Sequence, residues 1–564
     1  MTKQLWSTMM VAVLAVQLLA GCASPGPAPT AEPAAAVPAT EATTAAVSAT
    51  EAPTAAPKPT QNFDANATVN LATNADPTLN PWTPGAVVES NLINTMVFDQ
   101  LVRYSKEDLS PSPALATSWK AAPDGLSWTF DLRRDVMWHD GKPFTADDVA
   151  FTFNDVVLNK ELGAQSSASY SLISKVEVIN PYQVRFVLSA PFSSLPYYLC
   201  SFAGIIPNHV LGSAENPVQV AGFNKESPIG TGAFRVAEFV PGSFVRLVRN
   251  EKYWGGTPKV ASIVFKIIPD PNTQIAQINS GELDAVVDVN PPLLAGVEGN
   301  DKLQIIPQNE SIYYFVALNQ NDPRMKDVRV RQALLLALDR NAMIEAILLG
   351  YGTAAFGPIA PVLKAFHASD VPKFDYDPQR ALQLLRAAGW TPDPDGMLQK
   401  DGKPFEIDMP AGQLSYLVPA TLLVQQYWKD IGVKANVNVM EWNAYIQKMF
   451  VNRQYEATLA WWRTPPTADV TPYYESSAAD VGNNIPNYKN PDLDKLLKQG
   501  RAVTDAQEQV LVYRQIQLLL AEELPYLYLW YPKVISVRNV RLGGMPEGNN
   551  ALAYQYAAEW FVTK

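Results

Sequence analysis

Residues 313–352 read YYFVALNQNDPRMKDVRVRQALLLALDRNAMIEAILLGYG and predict a strand, a loop and two helices in succession. The run from Tyr313 to Asn319 is apolar on both faces, which is typical of a strand buried in a mixed α/β sheet. Asp327 and Asp339 each stand where a carboxylate can cap the helix that follows. Gly350 is expected to close the second helix in a left-handed turn. The stretch therefore predicts a crossing point between two lobes of an α/β protein.

The composition is that of a soluble globular protein. The chain has 564 residues, of which 47% are hydrophobic and 18% charged, and its net charge is −11. This acidic balance argues against nucleic acid or an anionic membrane surface as a partner. Cys22 and Cys200 are the only cysteines, so the folded body has no disulfide framework, and Cys200 is expected to be a small buried apolar residue.

The N-terminal residues predict export and anchoring. Lys3 precedes an apolar run, Val11 to Leu19, that is too short to span a bilayer, so residues 1–22 are interpreted as a signal peptide. LAGC at 19–22 resembles a lipobox, which implies that Cys22 carries a lipid. Residues 23–61 are mostly Ala, Pro, Thr and Ser and predict a disordered tether. We therefore expect a protein anchored by lipid alone to the outer face of the cytoplasmic membrane.

The longest motif occupies residues 97–153, VFDQLVRYSKEDLSPSPALATSWKAAPDGLSWTFDLRRDVMWHDGKPFTADDVAFTF. Residues 127–133 alternate as a half-buried strand would, and Thr145 with Asp148 forms a plausible capping pair for a helix. His139 has no second ligand at metal spacing, so we interpret it as a hydrogen-bonded turn histidine and predict no metal site.

This motif resembles the family 5 extracellular solute-binding proteins of ABC importers, a group that contains dipeptide-, oligopeptide- and nickel-binding proteins. Three further segments resemble the same family: PIGTGAF at 228–234, INSGELDA at 278–285 and YDPQRALQLLRAAGW at 376–390. The two glycines of the first segment precede an alternating hairpin pattern, so they predict a tight turn rather than a phosphate loop.

The resemblance implies a two-lobed periplasmic-binding-protein-like α/β fold of type II, with two crossing strands as the hinge. The expected first lobe comprises residues 62–318 and 530–564, with an inserted subdomain at about 85–225, and the second lobe comprises residues 319–529. The returning strand is predicted within residues 524–537. Ligand is expected in the cleft between the lobes, where the loop ADPTLNPW, residues 75–82, brings Trp82.

The segment WWRTPPTAD, residues 461–469, is the second candidate part of the cleft. Peptide binders of the family carry a Trp followed three residues later by an Asp that pairs with the α-amino group of the ligand. In this sequence Trp462 occupies the Trp position and Pro465 the Asp position, so that carboxylate is missing. Asp469 is the candidate to replace it, and Arg463 could instead receive an acidic group. Trp461 and Trp462 would also suit stacking on sugar rings.

These features predict a substrate-binding protein that is not an enzyme. The sequence has no Walker loop, HExxH, GxSxG or CxxC motif, so it predicts no catalytic residue and no cofactor. The expected partners are a small solute, a peptide first, and the permease and ATPase subunits of an ABC importer, and the protein is expected to be a monomer. An oligosaccharide receptor and a sensory module that presents ligand remain alternatives. A glycosidase is a further alternative, because its two carboxylates are recognised only in three dimensions.

Overall fold

The computed structural model describes residues 62–84, 86, 88–414, 416–479, 482–546 and 550–564. The chain divides into two units, Met1–Thr60 and Gln61–Lys564, and every described helix and strand belongs to the second unit. The predicted signal peptide, its Cys22 and the predicted tether lie outside the described residues. Among the described helices, none combines the length and apolar character that crossing a bilayer requires.

The strands are, in chain order, β1 (Thr68–Thr73), β2 (Val102–Tyr104), β3 (Pro111–Pro113), β4 (Ala116–Ala121), β5 (Ser127–Leu132), β6 (Ile173–Asn180), β7 (Gln183–Leu188), β8 (Phe234–Val240), β9 (Phe244–Arg249), β10 (Ser262–Ile267), β11 (Ala285–Val286), β12 (Leu303–Asn309), β13 (Ile312–Leu318), β14 (Gly352–Ala354), β15 (Thr391–Pro392), β16 (Leu398–Lys400), β17 (Lys403–Pro404), β18 (Glu406–Gly412), β19 (Lys434–Met440), β20 (Ala457–Arg463), β21 (Tyr526–Asn539), β22 (Leu542–Gly543) and β23 (Phe561–Val562).

The α-helices are α1 (Val88–Val97), α2 (Ala146–Ala150), α3 (Leu195–Cys200), α4 (Asn208–Leu211), α5 (Ala221–Lys225), α6 (Pro271–Ser280), α7 (Pro323–Lys326), α8 (Val328–Leu336), α9 (Arg340–Leu348), α10 (Pro378–Ala387), α11 (Leu417–Asp430), α12 (Trp442–Ile446), α13 (Thr471–Tyr474), α14 (Pro491–Ala502), α15 (Ala506–Glu523) and α16 (Asn550–Gln555). Helices α2 and α12 continue as the π-helical stretches Phe151–Val157 and Gln447–Val451.

Strand β21 connects the two lobes. Its first residues pair antiparallel with β13, and its last residues pair antiparallel with β12 and β11. Strands β12 and β13 follow each other along β21 and are separated only by Glu310 and Ser311. The segment formed by β12 and β13 and the strand β21 therefore cross side by side from one lobe to the other, which confirms the predicted pair of crossing strands.

The strand pairing also defines the lobes. On one side of the crossing the sheet order is β21-β11-β1-β10-β9-β8, and a separate sheet, β4-β5-β7-β6, extends this lobe. On the other side β13 lies between β20 and β21, with the parallel pair β18-β19 nearby. Below, the first lobe means residues 62–309 and 533–564, and the second lobe means residues 312–531. These names differ from the bounds expected from the sequence in counting β13 with the second lobe, next to β20 and the first residues of β21.

Local sequence signals account for several helix ends. Asp327 accepts a hydrogen bond from the Arg329 amide at 3.0 Å, and Asp339 accepts one from the Ala342 amide at 2.9 Å, as their capping positions predict. Helix α9 ends at Leu348, two residues before the predicted glycine, because Leu349 already adopts a left-handed conformation with φ 51° and Gly350 continues it with φ 80°. The left-handed conformation strains the backbone of a leucine, whereas a glycine adopts it without strain.

The predicted capping pair of the first lobe also forms. The Asp148 carboxylate accepts hydrogen bonds from the Thr145 amide at 3.0 Å and from the Asn208 amide at 3.0 Å. It also accepts one from the Trp138 indole at 3.3 Å. A single buried carboxylate therefore fixes the start of α2 to the start of α4.

Candidate binding cleft

A cavity of about 150 Å³ lies between the two lobes. The first lobe supplies most of its wall, from the loop before α1, the segment 165–170 and the end of α3. The second lobe supplies the loop after β20. The lining residues are Pro81, Trp82, Asn91, Tyr104, Gln165, Ser166, Ser169, Tyr170, Tyr197, Tyr198, Ser201, Phe202, Pro465, Pro466 and Thr467. The two loops that the sequence analysis selects thus meet at one cavity, although they are almost 400 residues apart in the chain.

Trp82 is a buried part of this wall. Its indole nitrogen donates to the Gly204 carbonyl at 2.9 Å, and its ring makes edge contacts with Tyr170 and Phe153 at centroid distances of 5.8 and 6.2 Å. These contacts orient the ring before any ligand arrives. Trp82 lines the cavity, so it stays a candidate contact residue.

Asp469 does not line the cavity. Its carboxylate is 7% exposed, accepts a hydrogen bond from the Arg501 guanidinium at 2.9 Å and accepts another from the Thr471 amide at 3.0 Å. Its own amide donates to the Thr467 hydroxyl at 3.1 Å. Burial opposes the charge on Arg501, but Asp469 outweighs that effect and raises the pKa of the guanidinium. The carboxylate therefore holds the loop that carries Thr467.

Trp461 and Trp462 are half-buried and lie outside the cavity lining. Trp461 belongs to a row of stacked rings, in the order Trp530, Tyr314, Trp461 and Trp442. The distances between successive ring centroids are 5.6, 5.8 and 5.8 Å. Ring stacking within the second lobe therefore occupies this tryptophan.

Trp462 is engaged in a second aromatic cluster. It stacks on Tyr473 at 4.7 Å and donates its indole hydrogen to the Tyr526 hydroxyl at 3.2 Å. Phe450 contacts it edge-on at 5.7 Å. The second lobe thus supplies both the hydrogen-bond acceptor for its indole nitrogen and the ring contacts for its apolar faces.

Arg463 pairs with the hinge. Its guanidinium donates to Glu310, a carboxylate that is 6% exposed, while the Arg463 side chain itself is 57% exposed. Glu310 belongs to the two-residue connection between β12 and β13, so this ion pair ties the end of β20 to the crossing strands. Arg463 is therefore placed as a hinge contact, and it does not line the cavity.

The lobes contact each other around the cavity. The Ser193 hydroxyl of the first lobe donates to the Arg501 carbonyl at 2.9 Å and accepts from the Gln509 amide at 2.9 Å, and both partners belong to the second lobe. Lys364 donates to the Glu107 carbonyl at 3.0 Å. Tyr416 also donates to Asn290 across the lobes. These bonds describe a closed arrangement of the two lobes.

Two further sequence interpretations are confirmed. His139 is hydrogen-bonded through both ring nitrogens, to the Gly232 carbonyl at 3.0 Å and to the Gly230 amide at 3.2 Å. Burial lowers the pKa of His139 to about 4, so the ring is neutral near pH 7. Cys200 is fully buried. The part of the chain that the structure describes holds no group of three side chains suited to a metal ion.

Several residues in the cavity wall or behind it have no signal in the sequence. Tyr197 and Tyr198 follow the mixed segment PFSSLP, and Gln165 lies in a polar loop without any motif. Arg501 ends an ordinary amphipathic helix, 32 residues after the carboxylate it binds. Only the folded chain brings these residues together, so no local pattern in the sequence marks them.

The comparisons with known proteins agree with this architecture. Residues 110–484 match the family model described as bacterial extracellular solute-binding proteins, family 5 Middle. The "Oligopeptide-binding protein AppA" of Bacillus subtilis (strain 168) is 31% identical over 445 residues, which cover 78% of this chain and 81% of that protein. The "Heme-binding protein A" of Haemophilus influenzae (strain ATCC 51907 / DSM 11121 / KW20 / Rd) is 28% identical over 513 residues, which cover 86% of this chain and 90% of the relative.

A solved structure shows the same similarity in three dimensions. The structure of AppA from Bacillus subtilis in complex with a nonapeptide has a TM-score of 0.67 and 29% identity, and it covers 89% of this chain and 100% of the solved chain. The family match, the sequence identity and the shared fold all indicate the same family. This chain therefore belongs to the family 5 bacterial extracellular solute-binding proteins, which are the solute-binding proteins of ABC transporters.

Proposed function

We propose that this protein captures a peptide between its two lobes and delivers it to the permease of an ABC importer. The observation that carries the proposal is the cavity whose walls come from both lobes, beside the two strands that cross between them. Opening the lobes separates the walls and admits a solute, and closing them surrounds it. Similarity to a protein named for oligopeptide binding supports a peptide as the solute.

We further propose that the signal peptide, residues 1–22, is removed and that a lipid on Cys22 anchors the protein through the tether, residues 23–61. The support is the LAGC sequence at the end of the apolar run. The lobes, with the inserted subdomain at about 85–225, would then work at the outer face of the cytoplasmic membrane. We propose that the protein has no catalytic activity, because the members of its family are solute-binding transport proteins.

The oligosaccharide alternative has less support from the geometry. Trp461 and Trp462, the candidates for a sugar platform, both stack on aromatic neighbours in the second lobe and lie outside the cavity lining. A sensory module would use the same cleft and would differ only in the protein that docks on the closed form.

Calorimetric titration of the purified protein with a peptide library tests the proposal, with an oligosaccharide panel as the comparison. Ser169 is exposed and lines the cavity, whereas the neighbouring Ala168 is exposed and does not line it. We expect Ser169→Trp to weaken peptide binding at least tenfold by occupying the cavity and Ala168→Trp to leave it unchanged. Binding of sugars alone, or equal effects of the two variants, would contradict the proposal.

A further inference from the structure

The cavity between the lobes is lined by no charged side chain among the described residues. Six of its lining residues are aromatic, namely Trp82, Tyr104, Tyr170, Tyr197, Tyr198 and Phe202. The polar lining groups are hydroxyls and amides. Burial raises the pKa of Tyr170, Tyr197 and Tyr198, so their hydroxyls are also neutral at physiological pH.

Two charged groups beside the second-lobe wall of the cavity are already paired. The Asp469 carboxylate, next to the lining loop, is bound by Arg501 at 2.9 Å and by a backbone amide. Arg463, at the end of β20, is bound by the buried Glu310. A ligand ammonium or carboxylate inside the cavity would therefore lose its water without gaining an opposite charge, which is costly.

The cavity also has a definite size. A volume of about 150 Å³ equals the space of roughly five water molecules, and an apolar cavity of about 150 Å³ accommodates a benzene ring. Tyr197, Tyr198 and Phe202 are only half-buried, and such rings favour an aromatic group over a flexible polar chain. The volume thus matches one large uncharged side chain, and the rings of the wall favour an aromatic one.

One wall group lacks a hydrogen-bond partner. Gln165 lines the cavity, and its Oε1 atom is buried with no partner among the described residues. Its Nε2 atom is 3.5 Å from the Asn91 side-chain oxygen, which leaves Oε1 as the acceptor. This atom exposes almost no surface in the closed arrangement, so an uncharged donor on the ligand, such as a phenol or an indole, would satisfy it after a rotation of the Gln165 side chain.

We propose that this cavity is a specificity pocket for one uncharged aromatic side chain of the bound peptide, and that Asp469 and Arg501 position the loop instead of binding the ligand. The inference rests on the proposed function and deepens it by naming the ligand group. The free α-amino group of a peptide is then not required at Asp469.

The test is calorimetric titration of the purified protein with pentapeptides of alanine in which each position in turn carries Phe, Tyr, Leu, Lys or Glu. We expect one position at which Phe and Tyr bind at least tenfold more tightly than Lys and Glu. Acetylation of the N-terminus should change the affinity of the Phe peptide less than threefold. Equal binding of Lys, Glu and Phe peptides at every position would overturn the inference while leaving peptide capture intact.

A variant of Gln165 adds a readout that loss of folding would not produce. Gln165→Leu should abolish any preference for Tyr over Phe and leave the affinity for the Phe peptide within about twofold. Weakening of both peptides by the same factor would contradict the role of the amide oxygen. If no peptide of the panel or of a wider library binds, the proposed function itself fails, and this inference fails with it.

Discussion

Replacing Ser193 by alanine should shift the protein from its closed arrangement towards an open one. The Ser193 hydroxyl makes two hydrogen bonds to the opposite lobe, both 2.9 Å long, to the Arg501 carbonyl and the Gln509 amide. Ser193 is 9% exposed, so water replaces these bonds poorly while the lobes are closed. A net contribution of about 0.5 to 1.5 kcal/mol per bond gives a total of about 1 to 3 kcal/mol. The ratio of closed to open protein should therefore fall by about 5- to 150-fold.

Energy transfer between dyes on the two lobes measures this ratio. Val178 of the first lobe is 42% exposed and Val439 of the second lobe is 46% exposed, so cysteines at these positions accept labels. Cys200 is buried and should not react, and Cys22 is replaced by alanine in every sample. Ligand affinity should weaken by the factor by which the closed population falls, because the ligand binds that population.

Ser189→Ala is the matched control. Ser189 makes its side-chain hydrogen bond to the Leu172 carbonyl, within the first lobe, at 3.2 Å. This variant should leave the energy transfer unchanged. If Ser193→Ala also leaves the transfer unchanged, or if Ser189→Ala alters it equally, the contact across the lobes does not hold them closed.

Three further predictions concern the stability of the fold. Burial lowers the pKa of His139 from 6.5 to about 4, so between these pH values the unfolded chain binds a proton that the folded chain excludes. The wild type should therefore lose up to about 3 kcal/mol of unfolding free energy as the pH falls from 6.5 to 4. Urea titration should show that the His139→Gln variant does not have this loss. At Gly230 an added Cβ would overlap a backbone carbonyl oxygen, so Gly230→Ala should cost about 3 kcal/mol, whereas Gly222→Ala, which meets nothing, should not lower the melting temperature. A double-mutant cycle of Arg501→Ala and Asp469→Asn should give a coupling of about 1 to 2 kcal/mol, and a value near zero would show that the pair does not hold the loop.

Sequence patterns were sufficient for elements whose signals are local. Carboxylates at Asp327 and Asp339 mark helix starts because the caps lie within three residues of the amides they satisfy. The apolar run at Tyr313 marks a buried strand because its neighbours on both sides are strands of the same sheet. The crossing of two strands followed from the family resemblance, and the pairing along β21 confirms it.

The details of the cleft depend on contacts between distant segments. The loop sequence offers Asp469 as a partner for an ammonium group, and nothing local indicates that Arg501, near the end of another helix, binds it. Two adjacent tryptophans at a strand end suggest a binding platform, and nothing local indicates that Tyr314, Trp442 and Tyr473 stack on them. Residue type predicts what a side chain can do, whereas its partners in three dimensions decide which of those roles is open to it.

Hydrogen exchange with and without a tightly binding peptide tests most directly whether the ligand lies between the lobes. Protection should appear together in both walls of the cavity, at residues 164–170 and 197–202 of the first lobe and at residues 464–469 of the second. At a peptide concentration that just saturates the wild type, this protection should be reduced in the Ser169→Trp variant. Protection confined to one lobe, or located away from these segments in a protein that binds the peptide tightly, would contradict capture in this cleft.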